Sequence, residues 1–387
     1  MGVTERIPLA AVRDLIAIGQ ALPFRVLDTQ ERLLLNEGQT VGSERQFDML
    51  TERGAWVERA LVERVRGARG SAAGPAPRLT AQRQATLFDL WDQALWDLDD
   101  LYRRLARGQA DAVQLEAFAD GLQQLIDRDP DISLFLCVRQ DDRRFALYAS
   151  HHGLHCAVLG LLLTRQLGWD VGAQGSLLRA ALTMNVAMAE LQAQMAEQGE
   201  PPTGKQLEHI RAHPQGAVRL LQQAGVIDTL WLDTVADHHE RDDGQGYPRG
   251  LQPVPEAARV LRSVDVFMAK ISPRAKRAAM TPQIAARQLF QQASGQALGT
   301  ALIRAIGVHP PGTLVTLKSG ETGVVSRRPA GSASPLVATL TDVRGAPVTA
   351  THQRNSGLAE YAVVTAQAQA GGLPKILPER VYGMMLA

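Results

Sequence analysis

The stretch Asp237-His238-His239-Glu240-Arg241-Asp242-Asp243-Gly244-Gln245-Gly246-Tyr247-Pro248-Arg249-Gly250-Leu251 decides how the rest of the chain is read. Its two adjacent histidines close a helix predicted over 228–239. Gly244 and Gly246 then permit a tight irregular loop directly after it. Successive helical residues point about 100° apart, so both imidazoles reach one ion only at a helix end or a distortion. Histidine is the commonest metal ligand, yet a histidine pair on a helix is more often structural. From this stretch alone both readings stand.

Working outward, His213-Pro214 lies about 25 residues upstream in a helical segment. His152 and His155 lie further upstream, one turn apart on one face. Asp265 sits in an apolar helical run, Val260 to Phe267, where an unpaired carboxylate is costly. Histidines and a buried acid converging from several helices are how bundle metal sites are built. The alternative is histidines satisfied by backbone, Asp265 or Glu240. Cys137 and Cys156 sit among apolar residues with no metal spacing and read as small core residues.

The surrounding pattern is mainly α, with a small α+β domain at the N-terminus and a small β extension at the C-terminus. Phe24 to Val41 reads as short strands ending at the turn Asn36-Glu37-Gly38, and Ser43 as the N-cap of a helix that stops at Gly54. This places a small α+β domain at 1–66. Gly67 to Pro77 lacks an apolar period, so 67–79 reads as a linker. From Thr80 to Arg128, Leu87, Leu90, Trp91, Leu95, Leu98, Leu101 and Leu105 form one helical stripe. Residues 80–145 are thus lead-in helices. Further helices are expected at about 145–168, 174–197, 203–224, 228–239, 255–271 and 281–295. After Gly307, Thr313–Leu317, Gly323–Ser326, Leu336–Thr341 and Pro347–Ala350 read as strands of a β extension over 306–387.

The motif set resembles the HD-GYP domain, a helical phosphodiesterase family of the HD superfamily that hydrolyses cyclic di-GMP with two or three metal ions. The matching order runs His152, then Ala180-Ala181-Leu182-Thr183-Met184-Asn185-Val186-Ala187-Met188, His213-Pro214, His238-His239 with its Gly246-Tyr247-Pro248 loop, Ala258-Arg259-Val260-Leu261…Asp265, and Arg274 to Arg277. The resemblance covers 146–300 and implies a helical bundle. Parts of both flanks resemble extensions found on some members. It implies metal ligands at His213, His238 and His239 for one ion, and at His152 and Asp265 for the other. His155 is a possible stand-in on the face of His152. It implies dinucleotide contacts at Arg274, Arg277 and Tyr247. The loop Gly246-Tyr247-Pro248 is implied as a docking surface for GGDEF-type or other signalling proteins.

The departures decide the function. The family's His-Asp pair is replaced by Met184-Asn185, and its Lys by Met188. Methionine is a soft, weak ligand for Mn, Fe or Mg. A neutral amide bridges two cations poorly, so losing the bridging carboxylate costs at least ~10³-fold in rate. No residue is therefore assigned as catalytic. A residual mononuclear site for Fe, Mn or Zn and a metal-free domain both stay open. The expectation is a degenerate, non-catalytic signalling protein that senses cyclic di-GMP or acts by protein contact. The alternative is a phosphodiesterase with an altered mononuclear site.

Composition bounds the rest. The 387 residues hold 41 Lys+Arg against 40 Asp+Glu, a net charge of +1 that steers the chain to neither nucleic acid nor an anionic bilayer. Glu5, Arg6, Arg13 and Asp14 break the N-terminal segment, so no signal peptide is expected. No apolar run is read as a membrane span. A cytoplasmic location follows, and a homo-oligomer remains open.

Overall fold

The computed structural model describes residues 5–71, 85–140, 144–291, 295–329, 331–367 and 376–383. These fall into two compact units that divide within one long helix, between Asp100 and Leu101.

Ahead of the long helix, the described residues of the first unit hold four short strands, a 3₁₀ helix over Leu9–Leu15 and two α-helices. The strands are β1 (Arg6–Pro8), β2 (Val26–Leu27), β3 (Leu33–Leu35) and, after α1 (Glu44–Glu52), β4 (Trp56–Glu58). They form an antiparallel sheet in the order β1-β4-β2-β3. Ser43 caps α1 as read from the sequence, its side chain accepting from the Gln46 N–H. α2 (Arg59–Ser71) follows directly. The linker expected at 67–79 therefore begins inside a helix, and its remainder, 72–79, lies outside the described residues.

The second unit is helical with one added sheet. α3 (Leu87–Ala106) enters it, and α4 (Ala112–Arg128), α5 (Pro130–Val138) and α6 (Tyr148–Gln166) follow. The single stripe expected to Arg128 is broken in two. Gly108 takes φ +69° and Asp111 opens α4 with a capping box to Gln114. Asp129 both ends α4 and caps α5, so Asp129-Pro130 starts a helix as well as ending one.

α7 (Val171–Thr183) and α8 (Ala189–Glu197) are separated by a 3₁₀ turn over Val186–Met188, where one helix over 174–197 was expected. α9 (Gly204–Gln223), α10 (Thr229–Asp237), α11 (Glu256–Ile271), α12 (Pro282–Phe290) and α13 (Gly295–Ile306) complete the helical set. The window Phe145–Gln166 is long and apolar enough to cross a membrane, but 89% of it is buried inside the protein, as in a core helix.

The C-terminal strands are β5 (Leu314–Leu317), β6 (Thr322–Arg327), β7 (Leu336–Thr339), β8 (Gln353–Asn355) and β9 (Val363–Gln367), in the antiparallel order β8-β7-β6-β5-β9. The strand expected at Pro347–Ala350 reduces to a single bridge between Thr341 and Pro347. This sheet shares its core with the helices. Leu314, Val324 and Ala338 pack with Phe135 of α5 and with Val381 of α14 (Pro378–Tyr382). Arg327 pairs with Asp129, and Arg328 with Asp131, across the same junction.

Asp129 thus caps α5 and anchors Arg327 at once. Asp129→Ala is expected to lower the stability of the second unit by about 2 kcal/mol. Urea denaturation followed by helical circular dichroism measures this, and an unchanged midpoint contradicts it.

Candidate metal centre

Pro214 lies inside α9. Proline has no N–H, so the carbonyl four residues earlier, that of Ile210, lacks its helical partner. The Nδ1–H of His213 donates to that carbonyl at 2.6 Å. His238 caps the C-terminal end of α10, where the last carbonyls are also left over. Its Nδ1–H donates to the Val235 carbonyl at 2.7 Å. A carbonyl can only accept, so in both rings the proton is on Nδ1 and the lone pair is on Nε2.

These two Nε2 atoms face each other at 3.2 Å. Neither can donate to the other as neutral rings. Protonation is no remedy, because burial and the field of His238 bring His213 down to about 3, and burial lowers His238 as well. His239 is lowered well below its usual value by burial and the neighbouring His238, and its Nε2 is buried with no hydrogen-bond partner among the described residues. The three nitrogens lie within 4.8 Å of one another. Two imidazole ligands of one zinc-sized ion sit about 2.9–3.3 Å apart, for octahedral to tetrahedral angles. The His213–His238 separation falls in that range. The orphaned lone pairs fit a divalent cation, and the backbone bonds on Nδ1 are the support that metal-bound histidines carry.

A second group stands beside the first. His152 Nε2 lies 2.8 Å from Asp265 Oδ1, and Cys156 Sγ lies 3.5 Å from His152 Nε2. Burial would raise Asp265, but the hydrogen bond to His152 and the surrounding imidazoles outweigh it and hold the carboxyl below the usual range. The Asp265 charge in turn reaches His213, His238 and His239. The structure thus brings His152 and Asp265 together, and adds Cys156, which had read as a core residue. His155 is buried near His151 and outside both groups. Burial pushes its imidazole well down.

The loop after α10 forms a wall of the site. Glu240 is fully buried and accepts from the backbone N–H groups of Arg249, Gly250 and Leu251. It therefore ties the loop and does not serve the histidines, as one alternative had it. Asp237 receives the Arg249 guanidinium at 2.6 and 2.7 Å. A Cβ on Gly246 would collide with the backbone of Glu240 and Arg241, so only glycine fits there. Tyr247 stacks on His239 with ring centres 4.6 Å apart. It is half-buried over the histidine cluster instead of projecting outward, and Pro248 is the exposed part of the motif.

Met184, Asn185 and Met188 are all buried. The end of α7 is held by Trp231 of α10, whose indole donates to Thr183 at 2.8 Å. The following turn packs on α9, where His209 meets the Ala187 carbonyl and Gly216 admits the Ala187 methyl. These are the helices that carry the three histidines. Asn185 Oδ1 is buried with no hydrogen-bond partner among the described residues. A cleft of about 410 Å³ opens beside His213, lined by Val186, Ala187, His209 and Arg219.

Of the basic run, Arg277 is committed elsewhere. Its guanidinium donates to the Ala269 and Ser272 carbonyls at the end of α11. Arg274 and Arg277 close a tight turn through reciprocal backbone bonds. The cations that sequence reasoning missed are Arg262 and Arg211. Arg262 lies one turn before Asp265 and acts on His239, Tyr247 and Asp265. Arg211 acts on Tyr247. The spacing of Arg262 from Asp265 was the available signal.

Residues 142–300 match the family model of the HD domain, so this part of the chain is an HD domain. The HHE and Gly246-Tyr247-Pro248 segments, which carry the HD-GYP resemblance, lie within these residues. The chain is 27% identical over 263 residues to Cyclic di-GMP phosphodiesterase PA4108 of Pseudomonas aeruginosa. The match takes in 65% of this chain, which spans about 62% of that protein's length. Among solved structures it is similar to Bd1817, a HDG"Y"P protein from Bdellovibrio bacteriovorus. There the TM-score is 0.49 and the identity 14%, over 77% of this chain and 97% of the other.

Pro214→Ala returns an N–H to the Ile210 carbonyl and competes with His213. Zinc affinity, read against a chromophoric chelator, is expected to fall about 10-fold, while an unchanged affinity contradicts this orienting role. Acid behaviour supplies a second check. A folded-state His213 at about 3 binds fewer protons than the unfolded chain between there and about pH 6.5. Its stabilising contribution is complete above that value and is lost as pH falls. The metal-free chain should lose about 1.4 kcal/mol per pH unit for each such histidine on the way from pH 6 to pH 4. Urea midpoints at the two pH values measure it, and a flat profile would contradict it.

Proposed function

We propose that this chain is a cyclic-di-GMP recognition module of the HD-GYP type that holds one divalent metal at His213, His238 and His239 and does not hydrolyse the dinucleotide efficiently. The carrying observation is the pair of Nε2 lone pairs 3.2 Å apart, close to an α7 end that offers the neutral Asn185. The first is a place for a cation. The second supplies no anion to hold two cations together, and two-metal phosphate hydrolysis needs both ions clamped on the attacking and leaving oxygens. Met188 in place of a cation removes a further source of transition-state stabilisation.

The name of the Pseudomonas relative supports cyclic di-GMP as the ligand. Arg262, Arg211 and Arg274 are the cations assigned to its phosphates, since a guanidinium grips a phosphate in two places. Tyr247 supplies an apolar wall, fixed on His239. The exposed rim of the loop, around Pro248, is the face assigned to GGDEF-type or other signalling partners, with the N-terminal α+β unit and the C-terminal sheet as further contact surfaces. The chain is assigned to the cytoplasm.

A second reading, a phosphodiesterase with a mononuclear site, is favoured by the same relative's name and by the open position that three imidazoles leave on a metal.

Titration of the zinc-loaded chain with cyclic di-GMP separates the readings. Binding tighter than about 100 µM, or about −5.5 kcal/mol, with no linear product formed over hours, is the expected result. Absence of binding at that level removes the ligand. Brisk turnover removes the non-catalytic half and leaves the second reading. Met184→His, Asn185→Asp, Met188→Lys together are expected to tighten metal binding, read against a chromophoric chelator, and unchanged affinity contradicts this.

A further inference from the structure

The Cys156 thiol stands 3.5 Å from His152 Nε2, at the distance of two ligands on one ion. We propose that Cys156 is a metal ligand, which with His152 and Asp265 forms a second, thiolate-bearing position for a borderline-soft divalent ion such as zinc. This rests on the reading of the chain as a metal protein.

The argument begins on α6. His152 and Cys156 are four residues apart and so share one helix face. Asp265 approaches them from α11. The three ligand atoms lie within 4.8 Å of one another. In a tetrahedral site with metal–sulfur near 2.3 Å and metal–nitrogen near 2.0–2.1 Å, sulfur and nitrogen are separated by about 3.5 Å. The observed Cys156–His152 separation is 3.5 Å. Asp265 and His152, now at 2.8 Å, need only part by about half an ångström to reach the nitrogen–oxygen spacing of two ligands on one ion.

Charge explains why this position survives the loss of the bridge. A thiolate and a carboxylate together carry −2 and neutralise a divalent ion without help. The position then needs no carboxylate at 185 to offset a neighbouring cation. On metal entry the Cys156 thiol releases its proton to solvent and the His152 proton moves from Nε2 to Nδ1, so that the ring stays neutral and the metal takes the place of the proton between His152 and Asp265. Sulfur ligation shifts preference from Mg and Mn toward Zn, Co and Fe. Cys137 is also buried but belongs to neither ligand group, so it serves as an internal control.

The test is cobalt loading of the metal-free full chain, followed by absorption spectroscopy. The wild type is expected to show an intense near-ultraviolet thiolate-to-cobalt band. Cys156→Ser should abolish the band and lower cobalt content by one equivalent, and Cys137→Ser should keep both. His238→Ala should lose the other equivalent yet keep the band. Cobalt bound without a thiolate band in the wild type overturns the Cys156 assignment and leaves the three-histidine site standing. A band that survives Cys156→Ser overturns it as well. A wild-type chain that takes up no cobalt overturns both readings. The wild-type spectrum carries the test even if Cys156→Ser fails to fold.

Discussion

Two imidazole lone pairs held 3.2 Å apart in the protein interior are the constraint on which the site depends. Each ring is fixed by a backbone carbonyl that its helix cannot use. At Ile210 the reason is Pro214, and at Val235 it is the end of α10. Burial keeps the rings neutral, so no proton bridges them. A buried polar atom without a partner costs about 1–3 kcal/mol, and here two face each other. A divalent cation removes the conflict and converts it into binding energy.

The neighbouring loop is built to keep that arrangement. Glu240 gathers three backbone N–H groups, Asp237 takes the Arg249 fork, and Gly246 lets the chain pass close over Arg241. The product of this tying is the position of Tyr247, flat on His239. The aromatic of the motif therefore shields the histidine cluster on one side, and the rim of the loop is left for other contacts. The charge balance of the centre rests on Asp265, whose field reaches all three histidines.

Much of this was legible in the sequence because helical period and helix-end chemistry are local. His213-Pro214, the paired histidines before two glycines, and Asp265 in an apolar run each declared themselves. What stayed hidden depends on contacts between elements. Cys156 lies among apolar residues, and its spacing from His152 gains meaning only when α11 brings Asp265 alongside. Glu240 read as a histidine partner because nothing local shows three amides folding back on it. Arg277 read as a phosphate ligand, although the carbonyls at the end of α11 claim it. β1 and β4, three residues each, are too short to show alternation. Val348 and Thr349 mimic a strand where Pro347 allows one bridge.

X-ray absorption at the zinc edge reads the central constraint most directly. The Cys156→Ser chain, loaded with one equivalent of zinc, isolates the three-histidine position. The spectrum should show three imidazole nitrogens at about 2.0–2.1 Å, and His238→Ala should abolish that signature. Zinc surrounded by water oxygens alone, or a spectrum unchanged by His238→Ala, would contradict the account.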